Sequence, residues 1–134
     1  MHPFEVYNEP DNFFPWADGD MWGRWGDDGE FYAHLLQTLH PLVKAADPDA
    51  NLVFGGIALD WFDDSEPSGP FGHEFLDDVL AECEGQDCFD VMNFHYYTLF
   101  RPTWEEYGPD IIGKTNYVRG KLAQYGFEDT PVIC

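Results

Sequence analysis

Apolar positions along the chain switch repeatedly between two spacings. Residues 3–8, carrying Phe4, Val6 and Tyr7, read as a strand. Residues 30–46 then read as a helix with Phe31, Leu35, Leu39 and Leu42 on one stripe, and Asp27 or Asp28 stands near its start as a cap. "DPDA" (47–50) ends that helix, because proline cannot continue it. "NLVFGG" (51–56) is a short apolar strand closing in glycine. A second helix is predicted over about 73–83, with Phe75, Leu76, Val79, Leu80 and Cys83 on one face. "FDVMNF" (89–94) is the third strand. A third helix is predicted over about 110–125, with Ile111, Thr115, Val118, Leu122 and Tyr125 at helical spacing, and "TPVIC" (130–134) is the fourth strand.

This order, β-α-β-α-β-α-β, predicts an α/β fold with four parallel strands and right-handed crossovers over three helices. The links are uneven. Helix-to-strand links are short ("DPDA", "EGQD", "GFED"), whereas strand-to-helix links are long, roughly 9–29, 56–72 and 95–109. In parallel α/β folds the functional face lies at the C-terminal ends of the strands, where such loops gather. All five tryptophans (Trp16, Trp22, Trp25, Trp61 and Trp104) fall in the three long loops. Loops are normally small and polar, so this placement predicts an aromatic surface that holds something flat, such as a sugar ring. For any single tryptophan, plain packing is the competing reading.

Composition narrows the partners. The formal net charge is −20, from 26 acids against 6 bases, and the bases form no stripe. Nucleic acid is disfavoured, because phosphate neutralisation needs clustered Lys and Arg. The acids read as a solvated surface, of the kind a salt-adapted organism carries. The 134 residues suit one domain, with 44% apolar and 18% aromatic residues. No run of 18 apolar residues and no N-terminal signal pattern is present, so no membrane span is expected. Both edges look cut inside strand-like runs, so a piece of a longer protein is expected. Cys83 and Cys88 flank a short turn and stand close enough in sequence to pair; without a sign of export, two free thiols are the expectation. No zinc pattern exists, and the acidic loop at 18–30 fails the EF-hand spacing, with Trp22 and Gly29 where ligands belong. Neither a P-loop nor a G-x-G-x-x-G occurs, so no cofactor or metal is expected.

The chemistry lies at the strand ends. Asn8-Glu9-Pro10 follows the first strand. A carboxyl there projects toward the cleft, and in an apolar site its proton is held more tightly. Asn8 adds a donor and an acceptor for a substrate hydroxyl, and Pro10 stops the ladder. The competing reading is a plain turn cluster. The third strand runs out as "NFHYYTLF", where alternation puts Asn93, His95 and Tyr97 on one side. A core histidine with interfacial tyrosines is the competing reading there.

"FEVYNEPD", "FDVMNFHYY" and "TPVI", in that order on successive strands, resemble the clan A glycoside hydrolases, most closely the branches holding cellulases, mannanases, β-xylosidases and α-L-iduronidase. The resemblance covers essentially the whole chain. It implies a partial (β/α)8 TIM barrel, strands four to seven, truncated at both ends. It implies that Glu9 is the general acid/base, that Asn8 holds the 2-hydroxyl of a carbohydrate substrate, that Tyr97 bonds the nucleophile and that His95 lines the subsite. Trp16, Trp61 and Trp104 would supply stacking. The family's nucleophile, a second glutamate at the end of the seventh strand, would fall just beyond Cys134. The expected parent is a retaining glycosidase, extracellular by analogy, and the 134 residues alone are expected to be inactive and poorly soluble. The alternative is a non-catalytic relative that binds carbohydrate through its tryptophans.

Overall fold

The computed structural model of the chain describes residues 2–12, 28–60 and 71–134. Its elements are β1 (His2–Val6), α1 (Gly29–Ala46), β2 (Ala50–Phe54), α2 (Phe75–Glu82), β3 (Met92–Asn93), a 3-10 turn (Thr98–Phe100), α3 (Arg101–Trp104), α4 (Ile111–Gln124) and β4 (Val132–Ile133). Among the described residues no helix is long and apolar enough to cross a membrane.

The expected partial TIM barrel of four parallel strands and three helices is not what the chain forms. The strands make two separate two-stranded parallel sheets, β1–β2 and β3–β4, beside four helices. In the first sheet His2 pairs with Ala50 and Val6 with Phe54; in the second Met92 pairs with Val132 and Asn93 with Ile133. Among the described residues the two sheets meet through isolated parallel bridges, Val53 to Val91 and Ile57 to Phe94, and a few backbone hydrogen bonds such as Phe54 N to Val91 O at 2.9 Å. From the first bridge to the second the chain advances four residues on one side (53 to 57) and three on the other (91 to 94). One residue is thus in excess at Gly55-Gly56, and an unmatched residue breaks a ladder as a bulge does. Asp90 interrupts it further, because its carboxylate oxygen Oδ2 accepts the Leu52 N–H at 2.7 Å, in the manner of a backbone partner. β3 and β4 are two residues long each, too short to carry a continuous ladder across the gap.

The core lies between the sheets and helices α1, α2 and α4. Leu36, Leu52, Phe54, Phe75, Val79, Leu80, Met92, Val118 and Leu122 are all essentially sealed from water. Phe54 packs edge-on against both Tyr32 and Phe89, each with ring centroids 5.2 Å apart. The α2 face is as expected: Phe75, Leu76, Val79, Leu80 and Cys83 are buried. The stripe of α1 is rotated from its expected position. Tyr32, Ala33, Leu36 and His40 face inward, while Phe31 and Leu42 are 54% and 61% exposed. Leu35 and Leu39 of the expected stripe still pack, partly buried, against the core, but the fully buried line is the one holding Tyr32, Ala33 and Leu36. Ala33 lets the helix approach, and the Tyr32 hydroxyl donates to Val6 O at 2.6 Å while accepting from Gly55 N at 3.0 Å. Asp28 is the cap, its Oδ1 accepting from Phe31 N at 2.9 Å. On α4 the buried line is Gly113, Lys114, Val118 and Leu122, and Ile111 is 40% exposed.

Cys83 and Cys88 form a disulfide with Cα atoms 5.9 Å apart, against the expectation of two free thiols. The turn between them brings the chain back on itself at Gly85, with φ of 73°. Cys134 is a free, exposed thiol.

Candidate active site

Three backbone segments converge where β1, β2 and β3 end. β1 stops after Val6, and the chain leaves it through two non-glycine residues with positive φ, Tyr7 at 71° and Glu9 at 51°. Such conformations are sparsely populated and persist only where the surroundings fix them. Pro10 removes a donor, and Asn12 N closes a turn on Glu9 O at 3.1 Å.

Glu9 meets His95 directly. The Oε1 of Glu9 lies 2.9 Å from the imidazole Nδ1, and the two side chains are only 21% and 26% exposed. A carboxylate can only accept, so with Glu9 ionised the imidazole carries its proton on Nδ1. Two glycines make this approach sterically open. A Cβ at Gly56 would sit 2.3 Å from His95 Nε2, inside the ring's own volume, and one at Gly55 would sit 2.6 Å from Val6 O. The glycine ending of "NLVFGG" therefore lets the imidazole lie across the exit of β2 and lets the exit of β1 pass close by.

Around the pair stand three further carboxylates that the sequence reading did not single out. Glu5 Oε1 accepts from Asn93 Nδ2 at 2.9 Å and from Gly56 N at 3.1 Å, which ties β1 to β3. Asp11 is 1% exposed; its two oxygens accept from Ala58 N at 3.1 and 3.0 Å, and Oδ2 accepts from Leu59 N at 2.7 Å. Burial pushes Asp11 up to about 6, against the pull of those two N–H groups and of the Lys114 ammonium. Asp60 is 2% exposed and its Oδ1 takes both the Trp104 indole N–H and the Lys114 ammonium, each at 2.9 Å. Burial pushes Asp60 up and Lys114 down, and each opposes the shift of the other. The sequence signal for this pair is the line Lys114, Val118, Leu122 on α4, a lysine four and eight residues before two core positions.

The expected site residues separate into groups. Glu9 and His95 are brought together. Asn8 is exposed beside Glu9. Asn93 bonds Glu5 and His95 bonds Glu9, and Tyr97, 54% exposed, starts the 3-10 turn beyond them. Trp104 is fully buried, packed against Tyr117 with centroids 5.3 Å apart and lying under Lys114 Nζ at 5.0 Å, so its ring is not an open stacking face. Trp16, Trp22, Trp25 and Trp61 lie outside the described residues, as does most of the acidic loop at 18–30. No group of three or more His, Cys, Asp or Glu side chains is arranged to hold a metal ion among the described residues.

No family model, no curated protein and no solved structure matches this chain.

Proposed function

We propose that Glu9 is the general acid/base of a retaining glycosidase that cleaves O-glycosidic bonds of oligo- or polysaccharides, with the attacking carboxylate following Cys134 in a longer protein. One observation carries the reading. Segments 86 residues apart place a glutamate and a histidine 2.9 Å from each other at the C-terminal ends of parallel strands. The reading does not require a closed barrel around them.

In this chemistry the bond from His95 Nδ1 occupies Oε1 of Glu9, which assigns Oε2 to the travelling proton. Protonated Glu9 gives that proton to the leaving glycosidic oxygen as the second carboxylate attacks the anomeric carbon. Glu9, now ionised, takes a proton from water, and that water releases the sugar. The two carboxyl groups of a retaining pair stand about 5–5.5 Å apart. Asn8, next to Glu9, and Tyr97, two residues past His95, are exposed and available to a sugar hydroxyl. Trp104 has no part in this version of the site, because its indole is committed to Asp60.

The test uses the chain extended past Cys134, with Glu9→Gln beside the unchanged protein. Turnover of glycosides with poor leaving groups falls on the order of 10²–10⁴-fold in the variant, whereas activated aryl glycosides lose far less in the glycosylation step. Equal turnover of unactivated glycosides by both proteins removes Glu9 from the role. Glycan binding without turnover in the unchanged, extended protein makes the chain a carbohydrate binder instead.

A further inference from the structure

We propose that Asp11 is a positioning residue whose buried carboxylate clamps the turn carrying Glu9 onto the backbone just past β2, and so sets the meeting of Glu9 with His95. The catalytic meaning of this rests on the acid/base reading of Glu9; the positioning itself is readable without any turnover.

The turn after β1 holds Glu9 in a strained backbone conformation. The hydrogen bond from Asn12 N to Glu9 O closes it, but Tyr7 and Glu9 both keep positive φ, which a free turn would relax. Two residues beyond Glu9, Asp11 supplies a buried restraint. Its side chain accepts the N–H groups of Ala58 and Leu59, 47 and 48 residues away, and its own carbonyl accepts Gly72 N–H at 2.7 Å. Asn12 adds an antiparallel bridge to Phe71. The far end of the turn is therefore held from two sides, and at 1% exposure the carboxylate is sealed from solvent.

The same strip of backbone also holds His95. Ile57 O accepts His95 N–H at 2.9 Å, and Ile57 N donates to Asn93 O at 3.2 Å. Residue 57 registers the histidine, and residues 58 and 59 register the turn that bears the glutamate. The two halves of the pair are thus set by one short segment. Through Asp11 the turn bearing Glu9 is tied to it. A loss of that tie leaves His95 in place and frees Glu9 to move.

The readout is the tautomer of His95, taken from its ring nitrogen shifts by NMR on the 134-residue chain, at a pH where the imidazole is neutral. The unchanged chain holds its proton on Nδ1, facing Glu9. Asp11→Ala shifts the population toward Nε2–H, the form that dominates for a histidine in water. Asp11→Asn preserves the shape and keeps one acceptor oxygen, and it gives a smaller shift with faster exchange of the Ala58 and Leu59 amides. Val79→Ala, which destabilises the core on α2, leaves the tautomer unchanged. An unchanged tautomer in a folded Asp11→Ala overturns the proposal, and so does an equal shift in Val79→Ala. If Asp11→Ala does not fold, Asp11→Asn decides: deprotected Ala58 and Leu59 amides with an unmoved tautomer overturn it as well. In the chain extended past Cys134, Asp11→Asn lowers kcat with KM little changed. Failure of the Glu9→Gln assay alone would remove the acid/base reading and leave the tautomer result standing.

Discussion

At the scale of the residue, the site turns on small groups placed where larger ones cannot go. Gly56 is the clearest, because the His95 ring occupies the space of its missing Cβ. Gly56→Ala drives the imidazole away, since a flexible ring yields more readily than backbone. The fold is expected to survive, the His95 ring resonances to move, and turnover in the extended chain to fall on the order of 10²-fold, as misplacements of about 1 Å do. An unmoved ring in the variant would show that the site tolerates the methyl group. Asp11 yields a second expectation, in pH. Its carboxyl is raised from 3.8 to about 6 by burial, so between those values the folded chain binds a proton that the unfolded chain has released. Stability from this group is full below the unfolded value and is lost as pH rises through the folded one. The difference amounts to about 3 kcal/mol at most. Denaturant titrations of Asp11→Asn and the unchanged chain should therefore converge or cross in the variant's favour as pH rises from about 4 to about 7. A difference that stays constant with pH would contradict the burial argument. Glu9 and its histidine were both legible in the sequence as polar residues closing apolar strands. Asp11 was not, because its partners are backbone amides of Ala58 and Leu59, and backbone leaves no mark in a sequence.

At the scale of the element, the helices were legible and the strand pairing was not. Helix spans follow from local periodicity and caps, and α1, α2 and α4 fall within about two residues of their expected bounds. Which line of a helix faces the core is a tertiary matter. On α1 the inward line was decided by Ala33 and by the hydrogen bonds of Tyr32, not by the leucine count. The strands fared worse because a ladder depends on register with a distant segment. A single surplus residue at Gly55-Gly56 and the carboxylate of Asp90 divide what read as one sheet into two. Between α4 and the exit of β2 runs the buried ion pair of Lys114 and Asp60, capped by Trp104. Lys114→Met leaves Asp60 buried beside the neutral indole N–H of Trp104, and breaking such a pair costs about 3–5 kcal/mol. Adding Asp60→Asn to Lys114→Met removes the stranded charge while keeping an acceptor for the indole, so the double variant should be more stable than the single one. Urea denaturation of the three proteins checks this order. A double variant no more stable than Lys114→Met would mean that the carboxylate escapes its burial.

At the scale of the whole molecule, two opposing terms decide whether the chain stays alone in solution. β1 pairs only with β2, and β4 only with β3, so among the described residues each sheet keeps an unpaired outer edge. Apolar side chains stand on those edges, Phe4 at 52% and Ile133 at 48% exposure. Unpaired N–H and C=O groups beside exposed apolar side chains form a template for pairing with another copy. Against this stands a net charge of −20, which repels like copies at long range. Salt separates the two terms. The screening length is about 10 Å at 0.1 M and about 3 Å at 1 M, so added salt removes the repulsion while strengthening, or leaving intact, the apolar contact. Sedimentation velocity should therefore show association that rises with both protein concentration and salt. Phe4→Lys, which puts a charge on the β1 edge, should reduce it at every salt level. The opposite trend, with association greatest at low salt, would place the attraction in charge pairs. A chain that remains monomeric throughout would show that the open edges are covered in a way their exposure does not reveal.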